Sequence, residues 1–206
     1  MMPGWNRRRY DLYAPVYDLV AGGFLTQRRR VVELAALQPR EEVLLLGAGT
    51  GLDLEVLPGH VGVTAVDLSP AMIRRLRERA ERLGRPVEAR VMSAHSLDFP
   101  RGRFDCVLMN LVLAVVDDPE ASAREAARVL RPDGRVVVFD KFLPEGRRPS
   151  LLRRAVNGVA RVVATDINRQ AHPLLEQAGL RVVSDEPALL GGLFRILVAR
   201  PARRPD

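Results

Sequence analysis

The sequence predicts an α/β protein built on one mostly parallel sheet of seven strands, with an antiparallel strand pair at its C-terminal end. Three observations predict it. From residue 41 onward, short β-rich runs alternate with stretches of helical periodicity, as helices covering both faces of a parallel sheet require. The first five strand candidates are apolar almost throughout, as strands covered on both sides should be. The last two, Leu180 to Ser184 and Leu193 to Ala199, are joined by DEPALLGG, too short for a crossover helix, so they must run antiparallel.

Taken in order, the parallel strands are expected at Glu42 to Leu46, Val61 to Val66, Val87 to Val91, Phe104 to Met109 and Arg135 to Phe139. Leu52 to Leu57 is the first crossover. Pro70 to Leu83 is the next, because Met72, Ile73, Leu76, Ala80 and Leu83 recur at helical spacing and Ser69 with Pro70 is a helix start. A further helix spans Pro119 to Leu130, and RPDG at Arg131 to Gly134 turns the chain into the fifth strand. Residues 1–40 are expected to form a helical cap on a single domain at 41–206.

Composition narrows the class. The 206 residues suffice for one domain with a substantial core, and 47% hydrophobic with 28% charged residues is an ordinary globular balance. A lone cysteine, Cys106, excludes an internal disulfide framework and a cysteine-based zinc site, and the three histidines form no cluster, so no metal is expected. The start, MMPGWNRRRY, has no apolar signal segment, and no apolar run approaches the ~20 residues a membrane helix needs. The expected location is the cytoplasm, with peripheral attachment to the inner membrane face as a further expectation. A net charge of +7, almost all arginine because Lys141 is the sole lysine, favours anionic partners without choosing among them.

The chemistry is concentrated in the loops after the strands. The first strand runs into GAGTG, where Gly47, Ala48, Gly49, Thr50 and Gly51 let the backbone turn sharply and approach a nucleotide-like ligand. A nicotinamide fingerprint would need its third glycine at residue 52, which is Leu. VTAVDLSP then places Asp67 20 residues after Gly47, where a carboxylate can accept both hydroxyls of a ribose, with Leu68 and Met72 beside it. MSAHSLDFP follows the third strand and FDCVLMNLVLAVVDDP contains the fourth.

Together these motifs resemble the class I S-adenosylmethionine-dependent methyltransferases, with their Rossmann-like domain, over nearly the whole chain. The resemblance implies S-adenosylmethionine as cofactor, with Ser93 and Ala94 at the adenine, His95 next to them, and Asn110 and Leu111 beneath the methionine moiety. One departure is Leu45, where the family has an acidic residue; Asp53, just past the glycines, is the nearby carboxylate. Upstream, RRYDLYAPVYDLVAGG is similar to the cap of the ubiquinone/menaquinone and bacterial phosphatidylethanolamine N-methyltransferases, which adds Tyr10 and Tyr17 to the cofactor site.

Methyl transfer from a sulfonium is an in-line displacement that needs alignment and exclusion of water rather than a covalent nucleophile. An amine acceptor must first lose a proton, and Tyr17 and Asp140 are the candidates. The acceptor itself is open at this point. A phospholipid amine fits the cap and the basic segment at Leu151 to Val163, where Arg153, Arg154 and Arg161, with Arg147 and Arg148 before it, could meet an anionic membrane. The same segment also reads as an ordinary surface helix enclosing a pocket for a soluble small molecule or quinone precursor. A noncatalytic cofactor-binding protein is the third reading. Nucleic acid is not expected, because no interleaved aromatic and basic motif occurs.

Overall fold

The computed structural model describes residues 22–142 and 170–202, and within them the sheet has the order β3-β2-β1-β4-β5-β7-β6. The strands are β1 (Glu42–Leu46), β2 (Gly62–Asp67), β3 (Glu88–Val91), β4 (Phe104–Asn110), β5 (Leu130–Lys141), β6 (Leu180–Leu189) and β7 (Phe194–Pro201). The helices are α1 (Leu25–Ala35), α2 (Pro70–Arg82), α3 (Pro119–Val129) and α4 (Ala171–Gln177). Strands β1 to β5 pair in parallel, and β7 inserts antiparallel between β5 and β6. The expected architecture is the one observed, a mostly parallel seven-stranded α/β sheet with an antiparallel pair at its C-terminal end.

Alternation along each strand divides the core between two faces. Leu44, Val107, Met109, Val136 and Val138 pack with Ala123, Ala126 and Val129 of α3 and with Leu174 and Leu175 of α4. Val43, Leu45, Leu108, Val137 and Phe139 pack on the other face with Val31 and Ala35 of α1 and Leu76 and Ala80 of α2. Leu45, which stands where the family's acidic residue is expected, is therefore a core residue, only 1% exposed.

The helix ends follow their sequence signals. Ser69 Oγ accepts from the Met72 amide at 3.2 Å with Pro70 at the first helical position, and Asp118 Oδ1 accepts from the Ala121 amide at 2.8 Å ahead of Pro119. Helix α1 ends in left-handed Ala36, and the Arg135 guanidinium donates to the carbonyls of Ala35 and Ala36 while holding Glu41. This ties α1 to the base of β5.

Three local expectations change. Leu52 to Leu57 is not a full crossover helix: Leu52–Glu55 is one 3-10 turn entered from left-handed Gly51, so the glycine loop offers amides without the dipole of a long helix. The DEPA part of DEPALLGG is strand, since β6 continues to Leu189 across two bulges; on an edge strand Pro187 removes no needed ladder bond. RPDG is counted within β5 but falls in the register break between the Phe104–Leu130 and Cys106–Arg135 pairs, with Arg131, Pro132 and Asp133 exposed, so it still projects outward. The segment expected as a helix at Leu151 to Val163 lies outside the described residues, as do Arg147, Arg148, Tyr10 and Tyr17.

Candidate active site

A cavity of about 460 Å³ opens at the carboxyl ends of β1, β2, β4 and β5, where ligands of open α/β sheets bind. Its floor begins with the loop after β1. Gly47 has φ +70° and Gly49 +54°, in the left-handed region that favours glycine. At Gly47 an added Cβ would stand 2.5 Å from Val112 Cγ2, so any larger residue would push the loop and the cavity wall apart.

Asp67 closes the second side. Its Oδ2 accepts from the Gly49 amide and its Oδ1 from the Ser69 amide, both at 2.9 Å, which fixes the carboxylate at the cavity edge. Leu68, 41% exposed, and Met72 from the start of α2 form an apolar wall next to it.

The loop after β3 completes this half. Ser93 Oγ accepts from the His95 amide at 3.2 Å, a local turn that places Ser93, Ala94 and His95 on the cavity. His95 Nε2 accepts from the Asp118 amide at 3.3 Å, which puts the ring proton on Nδ1 and joins this loop to the one before α3.

The other half lies over β4, β5 and β7. Leu111, just past β4, takes φ +61°, a conformation that costs a leucine ~1–2 kcal/mol, and its amide donates to the Phe139 carbonyl at 2.7 Å to hold it there. Asp140 is fully buried from solvent yet borders the cavity; the Ala114 amide donates to Oδ2 at 2.9 Å and the Lys141 amide to Oδ1 at 2.8 Å. Phe24, ahead of α1, meets Phe194 with ring centroids 5.2 Å apart, making an aromatic wall on this side.

Of the residues expected from sequence, Gly47, Gly49, Asp67, Leu68, Met72, Ser93, Ala94, His95, Leu111 and Asp140 come together on the cavity. Four others sit one layer back. Thr50 faces Arg79, whose Nη1 donates to its Oγ1 at 3.0 Å and its carbonyl at 2.7 Å. Ala48 is buried, its amide donating to the Val66 carbonyl, and Gly51 lies against Leu76 and Leu54. Asn110 Nδ2 donates to Asp53 Oδ1 at 2.7 Å, and the same oxygen holds Arg28 of α1 at 2.5 Å. Asp53 thus ties α1 and the end of β4 to the glycine loop from behind and does not line the cavity.

Sequence reasoning passed over Phe24, Met92, Val112, Val115, Asp117 and Lys141. Lys141 carried a signal, as the one lysine of the chain; the apolar residues carried none beyond their place after a strand.

The donor set suits an adenosylated amino acid: a glycine cradle that a Cβ would fill, a carboxylate for a diol, and apolar walls for a flat base. Comparison with known proteins gives the same answer. The family described as "Methyltransferase domain" matches residues 44–138. Over 192 residues the chain is 33% identical to a phosphatidylethanolamine N-methyltransferase of Cereibacter sphaeroides, covering 92% of this chain and 94% of that one. A demethylmenaquinone methyltransferase of Thermus thermophilus is 36% identical over 137 residues, 62% of this chain and 61% of the relative. Among solved structures, a (4+2)-cyclase superposes with TM-score 0.80 at 20% identity over 95% of both chains. A geranyl diphosphate methyltransferase in complex with S-adenosylmethionine gives 0.69 at 19% identity over 86% and 85%. The chain belongs to the class I S-adenosylmethionine-dependent methyltransferases, and S-adenosylmethionine is its cofactor. No helix among the described residues is long and apolar enough to cross a membrane.

Proposed function

We propose that this methyltransferase acts on the primary amine of a phospholipid headgroup of the phosphatidylethanolamine type, at the surface of an anionic membrane. The observation that carries the reading is the match to a phosphatidylethanolamine N-methyltransferase over 92% of this chain and 94% of the relative. The net charge of +7 supports approach to an anionic surface. The aromatic wall and the Asp140 carboxylate beside β5 support an ammonium-bearing acceptor, since rings attract cations and Asp140 supplies negative charge.

In this reading the residues over β1 to β3 hold the donor. The glycine turn at Gly47 and Gly49 makes room for its amino-acid end, Asp67 accepts from the ribose hydroxyls, and Ser93 accepts from the adenine amine between Leu68 and Ala94. S-adenosylmethionine supplies an electrophilic methyl group: its S–C bond breaks as the C–N bond to the acceptor forms, leaving a neutral thioether. Asp140 draws the acceptor's ammonium in and takes its proton before attack. Tyr17, the other candidate, belongs to the 1–40 cap, which in this reading covers the reacting groups and excludes water.

The test is direct. Purified protein, labelled S-adenosylmethionine and vesicles of phosphatidylethanolamine with phosphatidylglycerol should yield mono-methylated lipid by mass spectrometry, and the protein should float with those vesicles at low salt. Turnover of a demethylated quinone with none on the lipid would replace this reading by the one that the demethylmenaquinone methyltransferase match supports.

A further inference from the structure

The cavity divides by position in the sheet. Asp67 and the Ser93 to His95 loop lie over β2 and β3, whereas Asp140, Lys141, Phe194 and Phe24 lie on the far side, over β5 and β7. Donor groups claimed by Asp67 leave the β5 side to the acceptor. On that side Lys141 ends β5, and its Nζ stands 5.7 Å from the Phe194 ring centroid, within cation-π reach, so the ammonium is kept at the cavity wall.

Lys141 is the one lysine among 32 basic residues. It is also the one lysine or arginine among the described residues that border the cavity, where the carboxylates are Asp67, Asp117 and Asp140. A lysine offers a compact point charge on a slender stem, whereas a guanidinium spreads its charge over a rigid plane. A carboxylate, Asp140, and one ammonium, Lys141, on the same side of a cavity match a ligand that carries a cation and an anion a few bonds apart.

We infer that Lys141 is a specificity-determining residue that recognises a phosphate ester next to the acceptor's amine, so the acceptor half selects aminoalkyl phosphates over plain amines. This rests on the reading of the acceptor as a phosphorylated amine, and refines it. The shared chemistry is an ammonium two carbons from a phosphate; it could be presented by a lipid headgroup or by free phosphoethanolamine. Lys141 meets the phosphate, and Asp140 meets the ammonium.

The experiment compares wild type with Lys141→Gln, an uncharged side chain of similar reach, both loaded with S-adenosylhomocysteine. Calorimetry measures binding of glycerophosphoethanolamine, phosphoethanolamine and ethanolamine, and KM is measured for phosphatidylethanolamine in neutral detergent micelles. Both proteins should bind S-adenosylhomocysteine within twofold and melt within a few degrees of each other. The substitution should weaken binding of the phosphorylated amines by roughly 10- to 100-fold, leave ethanolamine affinity within threefold, and raise the lipid KM with little change in kcat. Equal losses for ethanolamine and its phosphate esters would overturn the inference, as would no binding of any phosphorylated amine by wild type. Lipid turnover with an unchanged KM in Lys141→Gln would overturn the role of Lys141 and leave the lipid reading standing. Turnover of phosphoethanolamine but not of lipid, lost in Lys141→Gln, would uphold Lys141 and remove the lipid.

Discussion

Replacing Asp67 separates the affinity of the site from the stability of the fold. In the protein alone its carboxylate accepts the amides of Gly49 and Ser69, each at 2.9 Å. With donor bound it would accept two ribose hydroxyls as well. Hydrogen bonds to a charged group contribute ~1.5–3 kcal/mol each, and water that enters after truncation returns part of that, so Asp67→Ala should cost ~2–4 kcal/mol of binding, about 30- to 1000-fold in Kd. Asp67 is only partly buried, so its two amides can turn to water. Stability should then fall by a smaller amount, ~1–2 kcal/mol. Asp67→Asn keeps the shape and one acceptor oxygen but removes the charge, and should fall between wild type and Ala. The assay is calorimetry with S-adenosylhomocysteine, which cannot turn over, alongside urea unfolding of each variant. A Kd within threefold of wild type for Asp67→Ala, in protein that unfolds at its normal midpoint, would refute the placement of the ribose and with it the orientation of the donor.

Other perturbations test the frame around that carboxylate. Gly47→Ala puts a Cβ 2.5 Å from Val112 Cγ2 at a backbone φ of +70° and should weaken S-adenosylhomocysteine binding at least 10-fold; adding Val112→Ala should recover part of the loss in the same titration. Arg28→Met leaves Asp53 charged in a buried pair whose side chains are 4% and 7% exposed, and should lower unfolding free energy by ~3–5 kcal/mol, while Arg28→Met with Asp53→Leu should restore most of it in chemical denaturation. At the base of the sheet the hydrogen bond from Arg135 holds Glu41 below the usual carboxylate range; burial pushes Asp105 upward, but the Glu42 amide and Arg131 outweigh it and leave it lowered. A folded pKa below the unfolded one gives stability that is complete above the ordinary carboxylate range and is lost as pH falls through the folded value. Urea midpoints should therefore decline below about pH 4.5, and Glu41→Gln should flatten that decline.

What was legible in the sequence follows from which interactions are local. The cores of β1, β4 and β5 were readable because residues 43–46, 106–109 and 136–139 are buried and apolar, whereas β3, with Glu88 and Arg90, is only partly buried; α2 was readable because Ser69 and Pro70 mark its start. Gly47 and Asp67 were readable because a backbone turn and a carboxylate at a fixed separation leave a spacing in the chain. Helix α4 was not: seven residues with Pro173 near the start carry too little periodicity. Nor was the continuation of β6, since Asp185 to Pro187 has turn composition and is strand only because β7 pairs with it. The Arg28, Asp53 and Asn110 cluster joins positions 25 and 57 residues apart, so the sequence singled out Asp53 and Asn110 for the cofactor without showing that they pair with each other and with Arg28.

The same reasoning shows why the fold leaves the acceptor open. A (4+2)-cyclase shares this architecture at a TM-score of 0.80, so the fold alone does not determine which bond is made. The groups proposed to place the donor follow β1, β2 and β3 and are fixed by nearby backbone: Asp67 by the Gly49 and Ser69 amides, Ser93 by a local turn. The groups on the other side come from elements far apart in sequence, Phe24 ahead of α1, Asp140 and Lys141 at the end of β5, and Phe194 at the start of β7, and meet only through tertiary packing. Substitution there can change the acceptor without disturbing the cradle, since no backbone turn depends on the side chain chosen. An exchange of Phe24, Lys141 and Phe194 should therefore alter acceptor preference while S-adenosylhomocysteine affinity holds, and a parallel loss of both would mean that the two halves are one site.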